Sequence, residues 1–183
     1  MRFGLFGGVA LLATGRGRGI ERFGRTPQAF LASLAPLLAF PLVGAGLLAL
    51  SGRPGAALLA VLWTLVTQLA PPVVSHALAV RWGREELWLR YATAFNWCQW
   101  AIPVAGFLLV SVIQVGGGGR LSEEDLAQWL ILGFAAYGLW LHWVLARNGL
   151  ALGRGRAVGA VLLINAATLL LVLFPRLLRA VIG

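Results

Sequence analysis

Five long stretches without a charged side chain alternate with short charged clusters along this chain. The stretches are Thr26–Gly52, Pro54–Val80, Tyr91–Gly119, Leu126–Ala146 and Ala157–Pro175, and each holds 19 residues or more. About 20 apolar residues in helical form cross the hydrocarbon core of a bilayer. A spanning segment must also satisfy its own backbone hydrogen bonds, which selects helix. The pattern therefore predicts five transmembrane helices, over about 26–52, 54–80, 87–115, 123–147 and 157–175.

The residues between and within these spans sharpen the prediction. Thr26-Pro27 suits an N-cap followed by proline at the first helical position. Pro36 and Pro41 should kink the first span, and the adjacent Pro71 and Pro72 should break or sharply bend the second. Either span is a candidate to be re-entrant. Glu86 and Arg90 have the spacing of a helical ion pair. Ser122 and Asp125 have capping-box spacing. Asn148 or Gly149 is expected as a left-handed cap, and Pro175 as the end of the last span. Before the first span, Phe3–Thr14 forms a short apolar run without a clean cleavage site, so an interfacial helix is expected rather than a signal peptide. The glycines among Gly15–Arg25 oppose continuous helix. Residues 1–25 thus read as a basic interfacial segment, and 26–183 as the transmembrane domain.

Composition agrees with this class. The 183 residues are 60% hydrophobic and 11% charged, where soluble domains average about 45–50% and 25%. A disordered region and a soluble enzyme are excluded on these figures. The single cysteine, Cys98, rules out an intrachain disulfide and should be a small buried residue.

Charge sets orientation. All fifteen basic residues are arginine, against six acids, for a net charge of +9. With the N-terminus in the cytoplasm, eleven arginines lie inside and four, Arg53, Arg120, Arg176 and Arg179, outside. This bias predicts N-in, C-out. Arg16, Arg18, Arg22, Arg25, Arg154 and Arg156 are the expected contacts to anionic lipid headgroups or an acidic partner surface. No basic face interleaved with aromatics lies outside the spans, so nucleic acid is not expected as a partner. Trp82, Trp88, Trp140 and Trp143 fall near the cytoplasmic interface, as anchors do.

Polar residues inside spans are costly and mark candidate sites. His76 and His142 each precede a cytoplasmic arginine by five residues, which places both about 7 Å from that level. Asn96 and Asn165 fall in the same shallow layer, with Gln99 one turn from Asn96. Thr64, Thr67, Gln68, Pro71 and Ser75 form a stripe along the second span. Three readings compete for the layer. Interhelical hydrogen bonding would fix helix register. Two histidines at equal depth could ligate a tetrapyrrole, with Gly138 leaving room beside His142. A proton or solute path is the third, but no acidic residue lies inside a span. Gly4-x-x-x-Gly8 and Gly155-x-x-x-Gly159 have close-packing spacing at span edges. No HExxH, GxSxG or Walker motif is present.

Five spans, a basic N-terminus and a short C-terminal tail resemble the Yip family of five-helix membrane proteins, in topology across Thr26–Gly183. That family's acidic-Leu-Tyr-Gly-Pro element is not present. The stretch Tyr91-Ala92-Thr93-Ala94-Phe95-Asn96-Trp97 is similar to a Tyr/Phe-Asn-Trp element of small bacterial membrane proteins. The resemblance implies a multi-pass protein of the bacterial inner membrane and no particular activity.

The function expected from these features is a non-enzymatic one. The chain reads as an accessory subunit or assembly factor of a larger inner-membrane complex, energy-transducing among the candidates. The alternatives are a small transporter or channel using the polar layer, and a tetrapyrrole-binding membrane subunit with His76 or His142 as ligand.

Overall fold

A computed structural model describes residues 2–117 and 122–182. It contains seven α-helices: α1 (Arg2–Ala13), α2 (Pro27–Leu50), α3 (Pro54–Arg81), α4 (Glu85–Cys98), α5 (Ala101–Gly117), α6 (Glu123–Gly149) and α7 (Arg154–Ile182). A 3-10 turn, Gly17–Arg22, joins α1 to α2, and no strand occurs among the described residues. Four segments are long and apolar enough to cross a membrane: α3, α4 with α5, α6 and α7. Counting the bent α2 as one span makes five.

The caps follow the sequence closely. Thr26 Oγ1 accepts from the Ala29 amide at 3.2 Å, ahead of Pro27. Ser122 Oγ accepts from the Asp125 amide at 3.1 Å and donates to the Asp125 carboxylate at 2.7 Å.

The double proline behaves differently from expectation. The double proline does not interrupt α3, which runs unbroken from Pro54 to Arg81. Neighbouring helices hold it: α2, α4 and α7 all pack on α3, and Pro72 is buried among them. Ser75 Oγ donates to the Pro72 carbonyl, which adds local support. The first span does bend, as its prolines predict: Pro27–Ala39 and Pro41–Leu50 meet at 40°.

The third apolar segment, Glu85–Ile113, is one span whose α-helical hydrogen bonding is interrupted locally at Gln99 and Trp100. Helix ends at Cys98 and resumes at Ala101. Pro103 is the physical cause. It has no N–H for the Gln99 carbonyl, and its ring crowds that carbonyl. Gln99 O accepts from Ile102 N at 3.3 Å instead, a tighter 3-10 bond.

Three further expectations need correction. Pro175 does not end α7, which continues to Ile182. The left-handed residue after α6 is Ala151, with φ of 50°, and not Asn148 or Gly149. Gly149 serves close packing: a Cβ there would come within 2.9 Å of the Tyr91 ring. Glu86 and Arg90 form no ion pair; the nearest approach of a basic and an acidic side chain among the described residues is His76 Nε2 to Glu85 Oε1, at 3.8 Å.

Residues 2–23 share the core of the spans. Leu12, Ile20 and Phe23 are buried in one cluster with Tyr91 and Phe95 of α4, Leu141 and Leu145 of α6, and Ala157 and Ala160 of α7. Tyr137 Oη donates to the Ala13 carbonyl at 3.0 Å, tying α6 to the end of α1. The core therefore gathers at the end of the bundle that carries most of the arginines. Toward the other end α3 and α7 stay together through the stacked Trp63 and Phe174 rings, 6.2 Å apart, while α5 stands away from them. Among the described residues, α5 touches α6, α4 and α1 but not α2, α3 or α7. Phe107, Val112, Ile131 and Leu170 are exposed there.

Of the two glycine motifs, only Gly8 makes a close contact, with Phe23; Gly4, Gly155 and Gly159 face open space. The spacing alone did not create helix-packing faces.

Candidate functional site

The polar layer resolves into separate clusters. The central one joins three of the expected residues. His142 of α6 lies between Gln99, at the break after α4, and Asn165 of α7. Gln99 Nε2 is 3.3 Å from His142 Nε2, and Asn165 Nδ2 is 3.2 Å from His142 Nδ1. The Phe95 ring covers the imidazole, with centroids 4.6 Å apart. Three helical segments are thus tied through one side chain.

The donor and acceptor inventory constrains its chemistry. Asn165 Nδ2 also donates to its own helix, at Val161 O, 2.8 Å away. An amide nitrogen only donates, so Nδ1 of His142 must accept. In the neutral imidazole the proton then sits on Nε2. The set is complete once the Gln99 amide is flipped, so that its oxygen takes the place of Gln99 Nε2 and accepts that proton. An imidazolium would need acceptors on both sides, and Asn165 would lose its Val161 bond to supply one. The cluster suits a neutral histidine with both nitrogens engaged, and leaves neither free for a metal ion.

Asn96 turns elsewhere. Its Nδ2 donates to Ser33 Oγ of α2 at 2.9 Å, and Ser33 Oγ donates to Phe30 O at 2.6 Å. Both side chains are fully buried. Ser33 was not singled out in the sequence; a lone serine seven residues after the Thr26 cap gives no signal above background.

His76 occupies a third environment. It faces Glu85 and meets the Trp88 ring edge-on, with centroids 4.7 Å apart. Trp88 Nε1 donates to Ser75 Oγ at 3.1 Å. His76 borders an open groove of about 390 Å3 with Phe30, Leu69, Pro72, Val73 and Trp88. It shares no partner with His142, so equal depth does not bring the two histidines to one ligand site. Among the described residues no group of three metal-ligating side chains occurs. The stripe on α3 is also dispersed: Thr67 bonds its own helix at Trp63 O and Thr64 O, Ser75 pairs with Trp88, and Gln68 is half-buried without a side-chain hydrogen bond to the described residues.

The arginine-bearing end is the second candidate surface. Arg16, Arg18, Arg22, Arg25, Arg154 and Arg156 are all there, and none pairs with a carboxylate among the described residues. Arg147 lies over the Trp143 ring, 5.2 Å from its centroid. The Arg90 Nε atom is buried without a hydrogen-bond partner, in the field of Glu21 and Arg25. Between α1 and the 3-10 turn lies a cleft of about 410 Å3, lined by Leu11, Arg18, Glu21 and Arg22.

Comparison of the chain with protein-family models, with curated proteins and with solved structures finds no match.

Proposed function

We propose that this chain is a non-enzymatic, multi-pass membrane protein that acts by packing against other membrane components. It would be an accessory subunit or assembly factor of a larger complex in a bacterial inner membrane, with five spans and the N-terminus inside. One observation carries the reading. The central polar groups of the spans are paired with one another, His142 with Gln99 and Asn165, and Asn96 with Ser33. What remains to act outward is surface: apolar flanks such as Phe107, Val112 and Ile131, and the arginine end.

The flanks suit partner helices. The α5–α6 pair carries a shallow apolar groove of about 490 Å3, lined by Leu109, Ile113, Trp129, Leu132, Gly133 and Ala136. Gly133 and Ala136 are small residues of the kind that let helices approach in a membrane. Extraction in mild detergent should recover the chain with other membrane proteins in fixed ratio. Recovery as a lone monodisperse species would overturn the reading.

A second reading, a small transporter, draws on the local interruption of helical hydrogen bonding at Gln99 and Trp100 in the third span. Broken helices at membrane depth commonly line substrate paths, and Gln99 lies at this break. It predicts that a cysteine at position 99 reacts with a water-soluble thiol reagent in intact membranes. A cysteine there that stays unreactive removes it.

A further inference from the structure

The cleft between α1 and the 3-10 turn has a composition of its own. Two arginines, Arg18 and Arg22, line it together with one carboxylate, Glu21, and one apolar side chain, Leu11. The Arg22 guanidinium lies along α1 beside Gly7, where no side chain intervenes. The two backbones also meet closely, since a Cβ on Gly19 would come within 2.7 Å of Gly8 O. The close backbone approach shapes the base of the cleft, and Arg18, Glu21 and Arg22 line it as exposed side chains.

Its charge is unbalanced. Glu21 and Arg25 both act on Arg90 behind the cleft. Glu21 is the single carboxylate among Arg18, Arg22, Arg25 and Arg90. A guanidinium pair presents fixed donors in the geometry of phosphate oxygens. The neighbouring helix points to the source of that phosphate. From Phe3 to Ala13, α1 has no charged side chain, and its outer face exposes Phe6 at 68% of its surface. An apolar face beside arginines is the arrangement of a segment lying at a bilayer surface.

We propose that this cleft binds the headgroup of an anionic phospholipid of the phosphatidylglycerol type. Arg18 and Arg22 hold the phosphodiester, Glu21 accepts hydrogen bonds from the glycerol hydroxyls, and Leu11 supports the start of the acyl region. A headgroup without hydroxyls leaves Glu21 facing phosphate unrelieved. The proposal rests on the reading that the arginine end meets lipid. It needs no partner subunit, so a lone monodisperse chain would end the accessory-subunit reading and leave this one standing.

The test is the thermal unfolding of the detergent-solubilised chain, titrated with single lipids. Phosphatidylglycerol should raise the melting temperature in a saturable way. Phosphatidylethanolamine should do so at least tenfold less potently, and phosphatidic acid should fall between them. Arg18→Gln with Arg22→Gln should abolish the phosphatidylglycerol shift. Glu21→Gln alters an exposed side chain, leaves the fold intact, and should remove the preference for phosphatidylglycerol over phosphatidic acid. Equal shifts with phosphatidylethanolamine, or a double variant that responds as the wild type does, overturn the proposal. An equal shift with free glycerol 3-phosphate would make the ligand a soluble phosphate ester and overturn the lipid source. Displacement of the lipid by poly-glutamate at equal charge concentration would assign the cleft to an acidic protein surface, and also overturn it.

Discussion

Asn96 and Ser33, 63 positions apart in the chain, meet through a 2.9 Å hydrogen bond with both side chains shut away from the surface. This bond fixes α4 against α2 at one depth. Hydrogen bonds between membrane helices contribute about 0.6 kcal/mol on average and up to about 1.7. Ser33→Ala and Asn96→Leu are each expected to destabilise the chain in denaturant titrations in detergent. Their double-mutant cycle should give a coupling within that range. A coupling near zero would show that the two side chains do not act as a pair.

The His142 cluster makes a prediction about protons. With only two histidines in the chain, 15N-labelled imidazole signals are readily assigned by His76→Gln. His142 should show a bare Nδ1 and a protonated Nε2, unchanged across the pH range in which the folded protein survives. The opposite tautomer, or a doubly protonated ring at neutral pH, would refute the hydrogen-bond scheme. Asn165→Leu should free Nδ1 and allow the tautomers to mix.

Much of the architecture was legible because hydrocarbon imposes a coarse, strong rule. Uncharged runs marked the spans, and Thr26-Pro27 and Ser122 marked two helix starts to the residue. Proline effects were less legible, because they depend on neighbours. Pro71 and Pro72 lie in a helix that packs on three others, whereas at Pro103 the Gln99 carbonyl takes a tighter bond from Ile102 N. The polar layer was legible as a depth, since depth follows from rise per residue. Its pairing was not, because that needs helix rotation. Asn96 and Gln99 are one turn apart, yet one faces α2 and the other α6.

If Pro103 causes the break, Pro103→Ala should mend it. The new N–H can reach the Gln99 carbonyl and restore a continuous helix across 98–101. Spin labels at positions 86 and 112, both exposed, would report the change. A straight helix separates 26 residues by about 39 Å along its axis. The wild-type distance should be shorter, and the variant should approach the straight value. An unchanged distance would assign the break to packing against α6 instead.

Orientation is open to direct chemical labelling. Ser51 and Gly153 are both exposed and lie at opposite ends of the proposed topology. With the N-terminus inside, Ser51→Cys should react with an impermeant maleimide in right-side-out vesicles, and Gly153→Cys in inverted ones. Cys98 is buried and should stay silent in both. The reverse pattern would invert the topology and put the arginine end outside.

Two glycines carry the packing of the N-terminal segment on the spans, and their effects should separate cleanly from those of other glycines. A Cβ at Gly149 meets Tyr91 Cδ2 at 2.9 Å and Ile20 Cδ1 at 3.3 Å, in the middle of the core. At Gly17 it would fall 2.0 Å from Asn148 Oδ1. Asn148 is not free to swing away, because its Nδ2 donates to Val144 O at 2.6 Å. Overpacking of this kind typically costs about 1–3 kcal/mol. Gly149→Ala and Gly17→Ala should each lower stability by that order. Gly159 also lies within a helix, but a Cβ there meets nothing within 4 Å. Gly159→Ala should therefore be neutral, or stabilise by up to about 1 kcal/mol through helix propensity. Equal losses at all three positions would mean that the N-terminal segment does not dock on α4 and α6 as described.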